Sequence, residues 1–174
     1  MKKYIDANRK RWDELAEVHY KGEGYNVKEF IKGGISIGDI ELHEVGDVKE
    51  KQLLHSQCHF GKDTLSWARL GAIVTGVDFS SRAIELANQL RSDTGLKATF
   101  ILSEISKLDQ SEMPPSSFDI VILTIIGSFD AYIWRIELFP ESTLRIDSVH
   151  RPSASGKRGG PLELINNNDD TTNT

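Results

Sequence analysis

The stretch FDIVILTII, residues 118–126, limits the fold more than any other part of this chain. A strand so nearly continuous in apolar residues is buried on both faces, which occurs in parallel sheets and not in antiparallel sheets with one wet face. Three strand-like segments precede it, at 51–56, 72–80 and 97–105. Between them lie a helix over 62–70, closed by Gly71, and a second helix that Ser80 or Ser81 can cap. Ala83, Ile84, Ala87 and Leu90 share one face of that second helix, and Gly95 stops it. Alternating strands and helices imply right-handed crossovers, so the expected architecture is a doubly wound α/β domain with a mostly parallel sheet and helices on both faces.

Ahead of this core, Trp12, Leu15, Ala16 and His19 recur at helical spacing and predict an amphipathic helix over 6–19. The glycine-rich KGEGYNVKEFIKGGISIG that follows reads as a mobile loop around one short helical piece at 27–31. After residue 165 no apolar residue occurs, and a segment that can bury nothing cannot offset its ordering entropy. The expected division is therefore an N-terminal helix and lid segment at 1–50, a core at 51–165 and a disordered tail at 166–174.

Several functional classes are disfavoured by composition. No apolar run approaches the roughly 18 residues of a membrane span, and the charged N-terminus lacks a signal-peptide core. With Cys58 as the only cysteine, a reducing, cytoplasmic setting is expected. A net charge of -5 without a basic stripe is a poor basis for gripping nucleic acid.

The chemistry concentrates in LLHSQCHFG, residues 53–61. A structural metal site would need a second Cys/His cluster, and none exists, so no metal is expected. A thiol nucleophile would need a base within reach, whereas the side chains of neighbouring Cys58 and His59 usually diverge. The position of the stretch suggests a third use: ligands of doubly wound sheets bind at the carboxyl ends of the strands, beside a helix N-terminus. Gly61 would let backbone approach a ligand, and Asp78, 17 residues on at the end of the second strand, can accept hydrogen bonds from ribose hydroxyls. A dinucleotide loop would carry glycines where Gln57 and His59 stand. Their bulk argues for a cofactor with a ribose and an amino-acid end but no phosphate, which describes S-adenosylmethionine.

The stretch LLHSQCHFGKDTLSWARLGAIVTGVDFSSRAIELANQL resembles the class I S-adenosylmethionine-dependent methyltransferases, in a bacterial branch with an LQCHFG-type loop. NRKRWDELAEVH, IELHEVGDVKEKQLL, FILSEISKLD and FDIVILTIIG are similar to the same branch, in the same order. The resemblance implies a Rossmann-like fold and methyl transfer to a small-molecule acceptor by in-line attack on the sulfonium methyl. It implies that Gln57, His59 and Gly61 surround the methionine part of the cofactor. Asp78 would then hold the ribose, Phe79 and Ile105 would flank the adenine, and Glu104 would accept from the adenine amino group. Thr124 would face the sulfonium. No catalytic base is assigned, His19 in the lid being the weak candidate.

Two departures from the family pattern stand out. His55 replaces an acidic residue that usually contacts the methionine end, and beyond Gly127 the remaining 47 residues lack the family's later strands. A chain truncated or altered in frame from about residue 126 is the expectation, with self-association through an exposed sheet edge as its consequence. A cofactor-binding remnant without transferase activity is the alternative function.

Overall fold

The computed structural model describes residues 2–108 and 117–123. Four parallel strands, β1 (Gln52–Ser56), β2 (Ile73–Asp78), β3 (Thr99–Leu102) and β4 (Ile120–Leu123), form one sheet in the order β3-β2-β1-β4. The helices are α1 (Lys2–Lys21), α2 (Val27–Ile31), α3 (Asp39–Val45), α4 (Lys62–Arg69) and α5 (Ser81–Thr94). The doubly wound reading holds, and the sheet is Rossmann-like. From β1 the chain steps to β2 on one side while β4 lies on the other, so the carboxyl end of β1 is a topological switch point, where such sheets bind ligands.

Local sequence accounts for most of the boundaries. Ser80 accepts the Ala83 amide at 3.0 Å and caps α5, and Gly95, at φ 67°, closes it. The strand alternation sorts the core: Leu53, Val74 and Ile120 pack with Trp67 of α4, whereas Leu54, Val77 and Val121 turn to the other face with Phe118. Helices expected on that second face would fall among residues outside those described, as would everything expected of residues 124–174, including the tail and the altered C-terminus. Among the described residues β4 is the last strand on its side of the sheet.

Two segments differ from expectation. α3 has no counterpart in the sequence reading, being a seven-residue helix whose buried contact is Val45 and whose start is tied by Glu41 accepting the Gly38 amide at 2.8 Å. The glycine-rich segment around α2, read as mobile, is anchored: Val27 and Phe30 are buried, and Arg69 donates to the Phe30 and Gly34 carbonyls. Its composition signalled a loop, but Val27 and Phe30 have a core to enter.

α1 extends beyond the predicted 6–19 at both ends and lies against α5. Ala16 is its fully buried residue, with Tyr20 packed against the same cluster, and a second row of residues one turn apart, Arg9, Asp13 and Glu17, carries polar contacts. Asp13 accepts from the Ser80 hydroxyl at 2.6 Å and the Arg82 amide at 3.1 Å, adding a second acceptor to the start of α5. Glu17 pairs with Arg82 at 2.6 Å. α1 is thus held over the carboxyl ends of β1 and β2.

Candidate functional site

After Ser56 the chain must turn out of the sheet and enter α4 within five residues. It does so through three left-handed residues, Gln57 (φ 57°), His59 (φ 53°) and Gly61 (φ 71°). For the two residues with a Cβ this conformation costs about 1 kcal/mol or more each. The loop therefore follows a glycine-like path at the positions where glycines were missed in the sequence. Hydrogen bonds hold it there: Cys58 N donates to Val77 O at 3.0 Å, Gly61 N to Cys58 O at 2.9 Å, and His59 N to Asp78 Oδ2 at 2.8 Å.

Asp78 binds two segments at once, since its Oδ1 also accepts from Ser80 N at 2.9 Å. Burial pushes its carboxyl above the ordinary range, and the amides of Ser80, His59 and Phe79 oppose that rise. A carboxylate has about four acceptor positions, so these amides leave room for a further donor.

Gly61 has a packing role that the sequence argument did not include. A Cβ built on it would lie 2.5 Å from Phe100 Cζ and 3.1 Å from the Ala87 Cβ. Its missing side chain makes room for Phe100 of β3 and for α5, and Gly61 also lines the cavity described below. Gly76 faces the same ring at 2.8 Å and Cys58 Sγ at 2.9 Å, again measured from a built Cβ. Cys58 is buried, and desolvation followed by the charge of Asp78 raises its thiol well above the ordinary value. It is a packing residue.

The side chain of His59 turns toward α1. Its Nε2 lies 3.1 Å from His19 Nδ1, and Trp12, Tyr25 and Phe60 complete an aromatic cluster around it. His19 also stacks on Tyr25 at 4.7 Å between ring centroids. The lid residues named from sequence thus meet the loop directly. One imidazole of the pair donates and the other accepts, an arrangement that needs at least one ring neutral.

Burial lowers His59 to about 4, with the neighbouring His19 adding to the effect and Asp63 opposing it. His55, at 2.7 Å from Thr64 Oγ1, is likewise lowered to about 4 by burial, again opposed by Asp63. Both folded-state values lie below the unfolded 6.5, so the stability these rings contribute is present above pH 6.5 and is lost as pH falls toward 4. Unfolding measured at pH 7 and pH 4.5 should show a loss of about 2 kcal/mol per buried histidine. Imidazole resonances of His55 and His59 titrating near 6.5 would contradict this.

Past the ends of β2 and β3, Phe79 and Glu104 are joined by a residue that sequence reasoning missed. Arg9 of α1 donates from Nε to the Phe79 carbonyl at 3.1 Å and from Nη2 to Glu104 Oε1 at 2.8 Å. Lys107 also reaches Oε1 at 2.9 Å, and these two cations hold the Glu104 carboxyl below its ordinary value, Lys107 having the larger effect. Ile105 opens the short 3-10 turn at 105–107 and is half-buried. Thr124 lies outside the described residues. The missed signal was the four-residue spacing of Arg9, Asp13 and Glu17 beside the apolar stripe of α1.

A cavity of about 310 Å³ opens at the carboxyl end of β1, lined by Tyr25, His55, Gln57, His59 and Asp63 among others. That volume is at the small end for a ligand site. Asp63 is fixed there by Ser36, whose hydroxyl donates to Oδ1 at 2.5 Å while its amide donates to Ser66 Oγ at 3.0 Å. Among the described residues no group of three or more His, Cys, Asp or Glu could hold a metal ion, and no helix is long and apolar enough to cross a membrane.

No curated protein matches the sequence significantly. Among solved structures, a Methanosarcina mazei S-adenosylmethionine-dependent methyltransferase is 29% identical, with 52% of this chain and 43% of that one covered at a TM-score of 0.44. Magnesium protoporphyrin IX methyltransferase from Synechocystis PCC 6803, crystallised with S-adenosylhomocysteine, is 17% identical, with 64% and 57% covered at 0.42. A structure described for conversion of a disulfide bond into a thioacetal group during echinomycin biosynthesis is 32% identical, with 50% and 36% covered at 0.42. The chain spans 36% and 57% of the first two solved structures it matches. The family model described as a methyltransferase domain matches residues 49–154 of the 174. This chain belongs to that methyltransferase-domain family.

Proposed function

We propose that the chain binds S-adenosylmethionine at the carboxyl ends of β1 and β2 and transfers its methyl group to a small-molecule acceptor. The observation that supports this reading is the bond from His59 N to Asp78 Oδ2 at 2.8 Å, which sets the loop directly against the carboxylate ending β2 at the switch point. Had the two been on opposite sides of the sheet, no single nucleoside could have met both. The cofactor, when bound, supplies an activated methyl on a sulfonium. What the chain supplies is alignment and exclusion of water, effects that can contribute several kcal/mol.

In this reading Gln57, His59 and Gly61 surround the amino-acid end through their backbone, and Asp78 accepts from the ribose with the position its amides leave open. Phe79 and Ile105 border the adenine. Glu104 has Oε1 engaged by Arg9 and Lys107, so Oε2 is the atom that would accept from the adenine amino group. His19 is bonded to His59 and acts as a lid contact in preference to a base. The net charge of -5 supports a small acceptor over a phosphate backbone.

Incubation with methyl-labelled S-adenosylmethionine and a panel of oxygen, nitrogen, sulfur and carbon acceptors tests the transfer. Label moving to at least one small acceptor is the expected result. Cofactor binding without transfer across the whole panel would favour the remnant function instead.

A further inference from the structure

The cavity below the loop contains a carboxylate that none of the site residues named from the sequence accounts for. Asp63 is the only acidic side chain among the described residues lining it. It belongs to the first turn of α4, and Ser36, from the segment between α2 and α3, fixes its Oδ1 at 2.5 Å. His55, at the strand position where the family resemblance implies an acid, is buried and bonded to Thr64 within that wall. At neutral pH His55 and His59 are uncharged, so the negative charge facing this space comes from Asp63. Both imidazoles lie close enough to feel that charge.

We infer that Asp63, held by Ser36, is the anchor for the primary ammonium of the cofactor's amino-acid end, taking over from the first turn of α4 the contact that His55 cannot make. The chemistry is that of a cationic amine meeting a half-buried carboxylate, where charge-assisted hydrogen bonds are the strong ones; the cation lining the same space, Lys62, donates to the Tyr25 carbonyl. Ser36 takes one oxygen and fixes the rotamer, which leaves the second oxygen to face the ligand. The inference rests on the proposed cofactor but concerns a different residue, and it predicts discrimination between two ligands that share the nucleoside.

Calorimetric titrations with S-adenosylhomocysteine and with 5′-methylthioadenosine, which lacks the amino-acid end, test it. Asp63→Asn keeps an oxygen for the Ser36 hydroxyl and removes the charge. It should weaken S-adenosylhomocysteine by about 10- to 100-fold while changing methylthioadenosine by less than about 3-fold. Ser36→Ala should act in the same direction with a smaller loss and provides the test should Asp63→Asn fail to fold. An unchanged affinity for S-adenosylhomocysteine, or an equal loss for both ligands, overturns the role of Asp63 and leaves the proposed function standing. Failure of the wild-type chain to bind either ligand overturns both.

Discussion

Gly61→Ala is expected to lower the free energy of unfolding by about 2–4 kcal/mol, read as a reduced urea midpoint with an unchanged slope. Two costs combine. The φ of 71° is the left-handed region, where a Cβ costs about 1–2 kcal/mol. The added methyl would also lie 2.5 Å from Phe100 Cζ and 3.1 Å from Ala87 Cβ, so the ring, which closely approaches Gly76 as well, must shift. Overpacking of that kind costs about 1–3 kcal/mol. Phe100→Leu in the same background should recover part of the loss, because it removes the atoms the methyl meets. A Gly61→Ala protein as stable as wild type would mean that the ring moves freely, contrary to the packing described.

Asp78→Ala should be comparably damaging and should also remove cofactor binding. The buried amides of His59 and Ser80 would lose their acceptor, and an unsatisfied buried donor costs about 1–3 kcal/mol. Release from the desolvation that raises the Asp78 carboxyl offsets part of this, so about 2–3 kcal/mol is the expected net loss. Asp78→Asn separates structure from recognition: it can still accept one amide and should lose less stability, yet it places an NH2 group where a donor must be received. Cofactor affinity should fall in both variants by about 100-fold or more, as expected for losing two charge-assisted bonds. Asp78→Asn with wild-type affinity would remove the ribose assignment while leaving the anchoring role of Asp78 intact.

How much of this was legible in the sequence depends on how local each cause is. β1, β2 and α5 could be read because an apolar run, a serine cap and a terminating glycine lie within a few residues of what they determine. α3 could not, since seven residues held by one buried valine leave little periodicity to detect. Gly61 was found as a special position, but the ring its missing Cβ accommodates lies 39 residues away and could not be read locally. Gln57 and His59 misled in a different sense. Their side chains argued against a glycine loop, while their backbones adopt one, and local rules tend to fail at strained, functional turns. Asp78 was legible by its place at a strand end, whereas Arg9 and Asp63 act through partners that only the folded chain brings near: Arg9 reaches Glu104, 95 positions on, and Asp63 is set by Ser36, 27 positions earlier.

The central claim, that the loop after β1 and the carboxylate ending β2 form one pocket for a nucleoside without a pyrophosphate, is tested most directly by titrating S-adenosylhomocysteine and NAD into the same preparation. Saturable one-to-one binding of S-adenosylhomocysteine, with no heat from NAD, is the predicted result. Binding of NAD at equal or higher affinity, or no binding of S-adenosylhomocysteine up to about 1 mM, where affinity is worth only about 4 kcal/mol, would contradict it.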